Sequence, residues 1–103
     1  MPGIAREDDT CTTGHGCNTT TSLDGDDASQ NVYANDRRVE RKGDSTVIHL
    51  MGFGLSCIPH TDTIKSGSNT VYVNDKPVAR MGDDVDFAGN ITSASTNVFV
   101  NGD

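Results

Sequence analysis

The chain has no tryptophan; aromatic residues make up 5% of its 103 positions and hydrophobic residues 33%. A chain this short and this poor in apolar side chains is expected to be one small domain, residues 1–103, with a limited core. Cores of that size commonly need a metal, a cross-link or a partner. No apolar run approaches the roughly 20 residues of a membrane helix, and residues 1–9 lack the apolar stretch of a secretory leader. Basic residues are scarce, 8 against 15 acidic for a net charge of −7, which argues against a face built to neutralise nucleic-acid phosphates. Helical periodicity is also missing from every window. Three cysteines, Cys11, Cys17 and Cys57, make an odd count without a leader, a pattern favouring free thiols or metal ligands over a disulfide framework.

What the chain does contain is a repeated segment. Residues 33–44 and 72–83 match position for position: Tyr33 with Tyr72, Asn35-Asp36 with Asn74-Asp75, Val39 with Val78, Arg41 with Arg80, and Gly43-Asp44 with Gly82-Asp83. A third copy is split between the two ends, Val98-Phe99-Val100 opening it and Ile4-Ala5-Arg6 continuing it, with Asp8-Asp9 in place of Gly-Asp. Each copy reads as strand, Asn-Asp or Asn-Gly turn, and return strand, because Asn, Asp and Gly tolerate positive φ. Ile64 and Ile91 each precede a hairpin by seven residues, and Leu23 plays that part before Val32. The expectation is an all-β domain with three-fold pseudo-symmetry. In-phase Arg6, Arg41 and Arg80 are read as internal ion pairs, and Gly43-Asp44 and Gly82-Asp83 as turn formers.

The connecting loops break the symmetry. The first, residues 10–22, holds Cys11, His15 and Cys17, and the second, residues 45–63, holds His49, Cys57 and His60. The third, residues 84–90, has neither His nor Cys. In a three-fold array such loops gather at one end around the axis. Met51, Phe53 and Leu55 are read as a small apolar cluster beneath that end, with an exposed wedge as the alternative.

Residues 76–83, with Pro77-Val78-Ala79-Arg80 preceded by Val71-Tyr72-Val73-Asn74-Asp75, resemble a PAAR repeat, a motif named for Pro-Ala-Ala-Arg. The half-motif Ile4-Ala5-Arg6, the copy at Val39-Glu40-Arg41 and the terminal Val98 to Gly102 extend the resemblance over nearly the whole chain. It implies a small conical domain that caps the trimeric β-helical spike of a phage tail baseplate or type VI secretion apparatus, one copy per trimer. The point would make transient contact with the target cell envelope. The implied location is the virion, or the bacterial cytoplasm before export. The blunt face would use the short apolar strands, Val32 and Tyr33, Val71, Tyr72 and Val73, Val98, Phe99 and Val100.

The resemblance also implies a structural zinc ion near the point, held by three histidines and one cysteine; these map onto His15, His49 and His60. The family cysteine falls where this chain has Phe87, so the fourth ligand is open. Cys57, four-residue chelating partner of His60 in Cys57-Ile58-Pro59-His60, is the first choice; Cys11, Cys17 and Asp86 are rivals. Structural zinc binds small peptides with on the order of 10–16 kcal/mol, comparable to the stability of a whole domain. No enzymatic activity is expected. A zinc hydrolase would need an open metal position and a nearby general base, and an adaptor carrying a non-covalent effector is the other alternative.

Overall fold

The computed structural model describes residues 1–100, and within them the protein is all β, with ten short strands and no helix. The expected turn at Asn101 to Asp103 lies outside the described residues. In chain order the strands are β1 (Thr10–Thr12), β2 (Thr20–Ser22), β3 (Tyr33–Ala34), β4 (Arg37–Arg38), β5 (His49–Phe53), β6 (Ser56–His60), β7 (Tyr72–Val73), β8 (Lys76–Pro77), β9 (Asp84–Val85) and β10 (Gly89–Asn90). They form five antiparallel hairpins. The turns obey the expected chemistry: Asn35, Asp36, Asn74 and Asp75 all have φ between 54° and 66°, as a two-residue hairpin connection with both centres left-handed requires.

The two ends complete the third copy. Ile4 N donates to Val98 O at 2.9 Å, the same bond that Val39 makes to Val32 and Val78 to Val71, each 3.0 Å. Gly3 pairs with Phe99 as Arg38 does with Tyr33 and Pro77 with Tyr72.

Three backbone hydrogen bonds then tie the copies into a ring. Ala5 N donates to Ala79 O, Ala79 N to Glu40 O, and Glu40 N to Ala5 O, each at 3.0 Å. On one side of this triangle sits an apolar layer of Ile4, Val39, Val78, Ala34, Val73 and Val100, with Val32, Val71 and Val98 packed against it. On the other sit Leu23, Ile64, Ile91, Cys11 and Val85 with Ala5 and Ala79. A second cycle of bridges closes that upper layer: Leu23 with Thr46, Ile64 with Val85, and Ile91 with Cys11. Antiparallel pairing normally leaves exposed edges; here each copy lends its edge to the next.

The arginines are paired as expected. The side chains of Arg6, Arg41 and Arg80 each clasp the aspartate three residues on, Asp9, Asp44 and Asp83, through Nε and Nη2 at 2.8–3.1 Å. These are bidentate, largely buried pairs, the geometry in which an arginine–carboxylate contact is strongest. Arg6 also reaches Asn35, and Arg41 reaches Asn74, so these two guanidinium groups each pin the turn of a neighbouring copy. Asp8 adopts φ 68° where the other copies use Gly43 and Gly82, which is why the departure from Gly-Asp leaves the corner intact.

Four sequence readings change. The connecting loops are themselves hairpins, β1–β2, β5–β6 and β9–β10, because their backbones pair with themselves before meeting the next copy. Phe53 and Leu55 do not form a cluster beneath the end: both are exposed, at the turn of the long β5–β6 hairpin, and Met51 is half-buried. Val73 and Val100 turn inward into the lower apolar layer and cannot be surface contacts, since alternate residues of a strand face opposite ways. Cys17 and Cys57 are joined in a disulfide, while Cys11 is a free, buried thiol.

One position in the ring is unlike the others. Glu40 replaces the alanine of the other copies, is 0% exposed, and neither carboxylate oxygen has a hydrogen-bond partner among the described residues. Burial, reinforced by Asp44, Asp24 and Asp27, pushes its carboxyl up to about 9. The folded protein therefore holds Glu40 neutral at pH 7 while the unfolded chain ionises it near 4.5. Its stabilising contribution is complete below about pH 4.5 and is lost as pH rises to about 9. Urea unfolding of the wild type should show a decline of up to about 1.4 kcal/mol per pH unit across that window that Glu40→Gln removes. Parallel pH profiles for the two proteins would rule out this account of Glu40.

Candidate metal centre

The upper hairpins carry the histidines. In β1–β2 the connecting segment is shaped by Thr13, whose buried hydroxyl donates to Asn18 O at 2.8 Å. Gly14 follows with φ 72°, and a Cβ there would overlap the carbonyl oxygen of Phe87, so only glycine lets this loop lie against the third hairpin. That contact turns His15 toward the axis. In the long hairpin His49 and His60 are directly opposed across the strands, which sets both rings on one face. Asp62 lies two residues beyond His60, its backbone fixed by reciprocal contacts with Thr46.

The four side chains converge. Asp62 Oδ2 lies 2.9 Å from His49 Nε2 and 3.2 Å from His15 Nε2, and Asp62 Oδ1 lies 2.5 Å from His60 Nε2. One ligand atom from each residue falls within 4.8 Å of all the others. The carboxylate is fully buried and the side chains of His15 and His49 nearly so. His15 Nδ1 donates to Gly16 O at 3.0 Å and His49 Nδ1 to Val47 O at 2.9 Å. A carbonyl can only accept, so these bonds place a proton on Nδ1, and the tautomer that carries only that proton has its Nε2 lone pair facing inward. Yet the two Nε2 atoms are 3.1 Å apart. Lone pairs from two imidazoles and a carboxylate meeting in a buried spot call for a cation. Three imidazole nitrogens and one carboxylate oxygen suit a divalent transition ion such as zinc.

The structure brings His15, His49 and His60 together and leaves Cys57 out. The Cys57 sulfur is bonded to Cys17, which removes both as thiolate ligands. Cys11 sits in the upper apolar layer, where burial pushes its thiol up to about 11. Asp86 is engaged elsewhere, accepting from Thr63 N and Oγ1 at 2.9 Å each. Asp62 was the missed residue. The signal was its spacing from His60, since residues i and i+2 of an extended segment share a face. Phe87, at the position expected for the family cysteine, packs its ring on His15 and His60, with centroids 5.8 and 5.5 Å away. It shields the cluster instead of joining it.

The PAAR-motif family model matches residues 13–87, well over half of the chain, spanning the histidines and the two complete copies of the repeat at 33–44 and 72–83. The chain belongs to the PAAR-motif family. PAAR-motif proteins are structural spike-tip components of contractile injection systems, in phage tails and type VI secretion machinery, and they associate with spike proteins. No match is found among curated proteins.

Elemental analysis distinguishes the donor sets. His49→Ala and Asp62→Ala are expected to lower bound metal at least tenfold, whereas the double substitution Cys17→Ser, Cys57→Ser retains it. The same double variant should lose about 2–4 kcal/mol of stability, because the disulfide closes a loop of sequence separation 40. Metal lost on Cys57→Ser but kept on Asp62→Ala would return the cysteine to the ligand set.

Proposed function

We propose that this PAAR-motif protein, acting as a single domain over residues 1–103, caps a trimeric β-helical spike, one copy per trimer, with its metal centre stiffening the opposite end. The observation that carries this reading is the ring of Tyr33, Tyr72 and Phe99. These are the equivalent residues of the three copies, and they are 54%, 57% and 50% exposed. Three aromatic side chains presented equally from one chain are what a monomer needs to meet three identical subunits. Aromatic residues are also the side chains most enriched at binding hot spots. Val32, Val71 and Val98, half-buried behind them, support the same face.

At the other end His15, His49, His60 and Asp62 would hold a structural zinc ion. Four protein donors complete its usual shell and leave no position for water, so the site serves rigidity and not hydrolysis. A metal there supplies cross-linking between two hairpins that have little core of their own. The protein would work in the virion baseplate, or be exported from the bacterial cytoplasm by a type VI apparatus, and meet the target cell envelope point first.

Co-expression with the spike trimer encoded by the same phage or secretion locus tests the docking face. Native mass spectrometry is expected to find one tip per trimer. Tyr33→Asp combined with Tyr72→Asp should weaken the complex at least hundredfold without loss of β structure by circular dichroism. A wild-type complex of three tips per trimer, or none, would overturn the reading.

A further inference from the structure

We infer that Phe87 sets the coordination number of the metal centre, its ring closing the open side of the cluster so that a bound divalent ion keeps only its four protein donors. This deepens the metal-centre reading and rests on it. Phe87 lies in the turn of the β9–β10 hairpin, which Gly89 N closes by donating to Asp86 O at 3.3 Å. Both central residues have positive φ, 61° at Phe87 and 68° at Ala88. Glycine, asparagine and aspartate dominate turns of this kind, and a bulky side chain there is strained. The chain places the favoured residues at two other hairpin turns, Asn35-Asp36 and Asn74-Asp75. Core burial does not account for the phenylalanine either, because it is 52% exposed. What its covered half touches is the histidine cluster.

The ring stands on the side that needs covering. It packs on His15 and His60 at 75° and 60° to their planes. These are the more accessible of the three histidines, with side chains 7% and 22% exposed against 4% for His49. His60 therefore marks the direction from which water can approach, and Phe87 lies against it. Three imidazoles and a carboxylate do not by themselves refuse a further ligand, since zinc accommodates five when there is room. Steric cover decides the number.

The third hairpin supplies no donor to the cluster, yet it is fastened beside two of them. Toward the first hairpin, Asn90 N donates to Thr12 Oγ1, and Thr12 Oγ1 donates to Asn90 Oδ1, both at 2.9 Å. Toward the second, Asp86 Oδ2 accepts from Thr63 N and Oγ1, and Asp86 N donates to Thr63 O at 3.1 Å. Thr63 directly follows Asp62, and Gly14, packed against the Phe87 carbonyl, directly precedes His15. Contacts on both sides thus hold the strained turn in place. Backbone strain persists where its surroundings over-determine it, and such positions cluster at functional sites.

Cobalt(II) reports its coordination number in its visible absorption, intense with four ligands and weak with six, so the full-length protein loaded with cobalt(II) during expression provides the test. The wild type is expected to show the intense bands. Phe87→Ala should bind cobalt with the weak bands of a higher coordination number and release it to a chelator roughly tenfold faster. Phe87→Leu, which keeps an apolar cover, should stay close to wild type. Phe87→Asn suits the left-handed turn but offers no ring, and its spectrum should match that of Phe87→Ala. A wild-type spectrum and release rate in Phe87→Asn would make Phe87 a turn residue and overturn the inference, as would the same result in Phe87→Ala. Either of these leaves the metal centre standing, whereas a wild type that takes up no cobalt overturns the metal-centre reading and this inference with it.

Discussion

The fold depends on a triangle of peptide hydrogen bonds among Ala5, Glu40 and Ala79. Three return strands can approach this closely only if their side chains at the crossing are small or turned along the axis. Alanine meets that condition twice, and Glu40 meets it at the cost of an unpaired buried carboxyl. Once the triangle is set, everything else is repetition at increasing radius. Valine and isoleucine fill the layers above and below, backbone bridges join neighbours, and the arginine–aspartate clasps close the corners. No copy contains a core of its own, so the hairpins are stable only as a set.

Symmetry governs the half with the aromatic ring and is abandoned in the half with the histidines. There the three hairpins have unequal lengths, and the apolar layer gives way to buried polar groups, Asp62, Thr13 and Thr46. The structure compensates with connections that do not depend on hydrophobic area: the disulfide between the first two hairpins and the convergent His15, His49, His60 and Asp62. Long extension and little core make a weak combination unless such cross-links are present.

Much of this was legible in the order of residues. Turn chemistry at Asn35-Asp36 and Asn74-Asp75, and the in-phase spacing of Arg and Asp, are local properties that a sequence carries openly. The closure of the third copy could be read from Val98 and Ile4 because each half matched a complete repeat. The disulfide could not, since Cys17 reaches Cys57 only after Cys17 bridges Met51 on the outer edge of β5. The exposure of Phe53 and Leu55 was hidden for a similar reason. Glycine-interleaved apolar residues fit a cluster or a projecting hairpin equally well, and the register from His49 to Phe53 decides between them.

Tyr33, Tyr72 and Phe99 differ by a single hydroxyl group, while the hairpins above them differ greatly. On a partner with true three-fold symmetry, such a chain has three seating positions related by rotation through a third of a turn, nearly equal in free energy. Each leaves the aromatic ring in register and swings the β5–β6 hairpin to a new azimuth. A population of assembled spikes would then be a mixture of rotamers of the whole cap. An image averaged with imposed three-fold symmetry would show a sharp base and a blurred crown, and the blur would be static, fixed at assembly and not produced by motion.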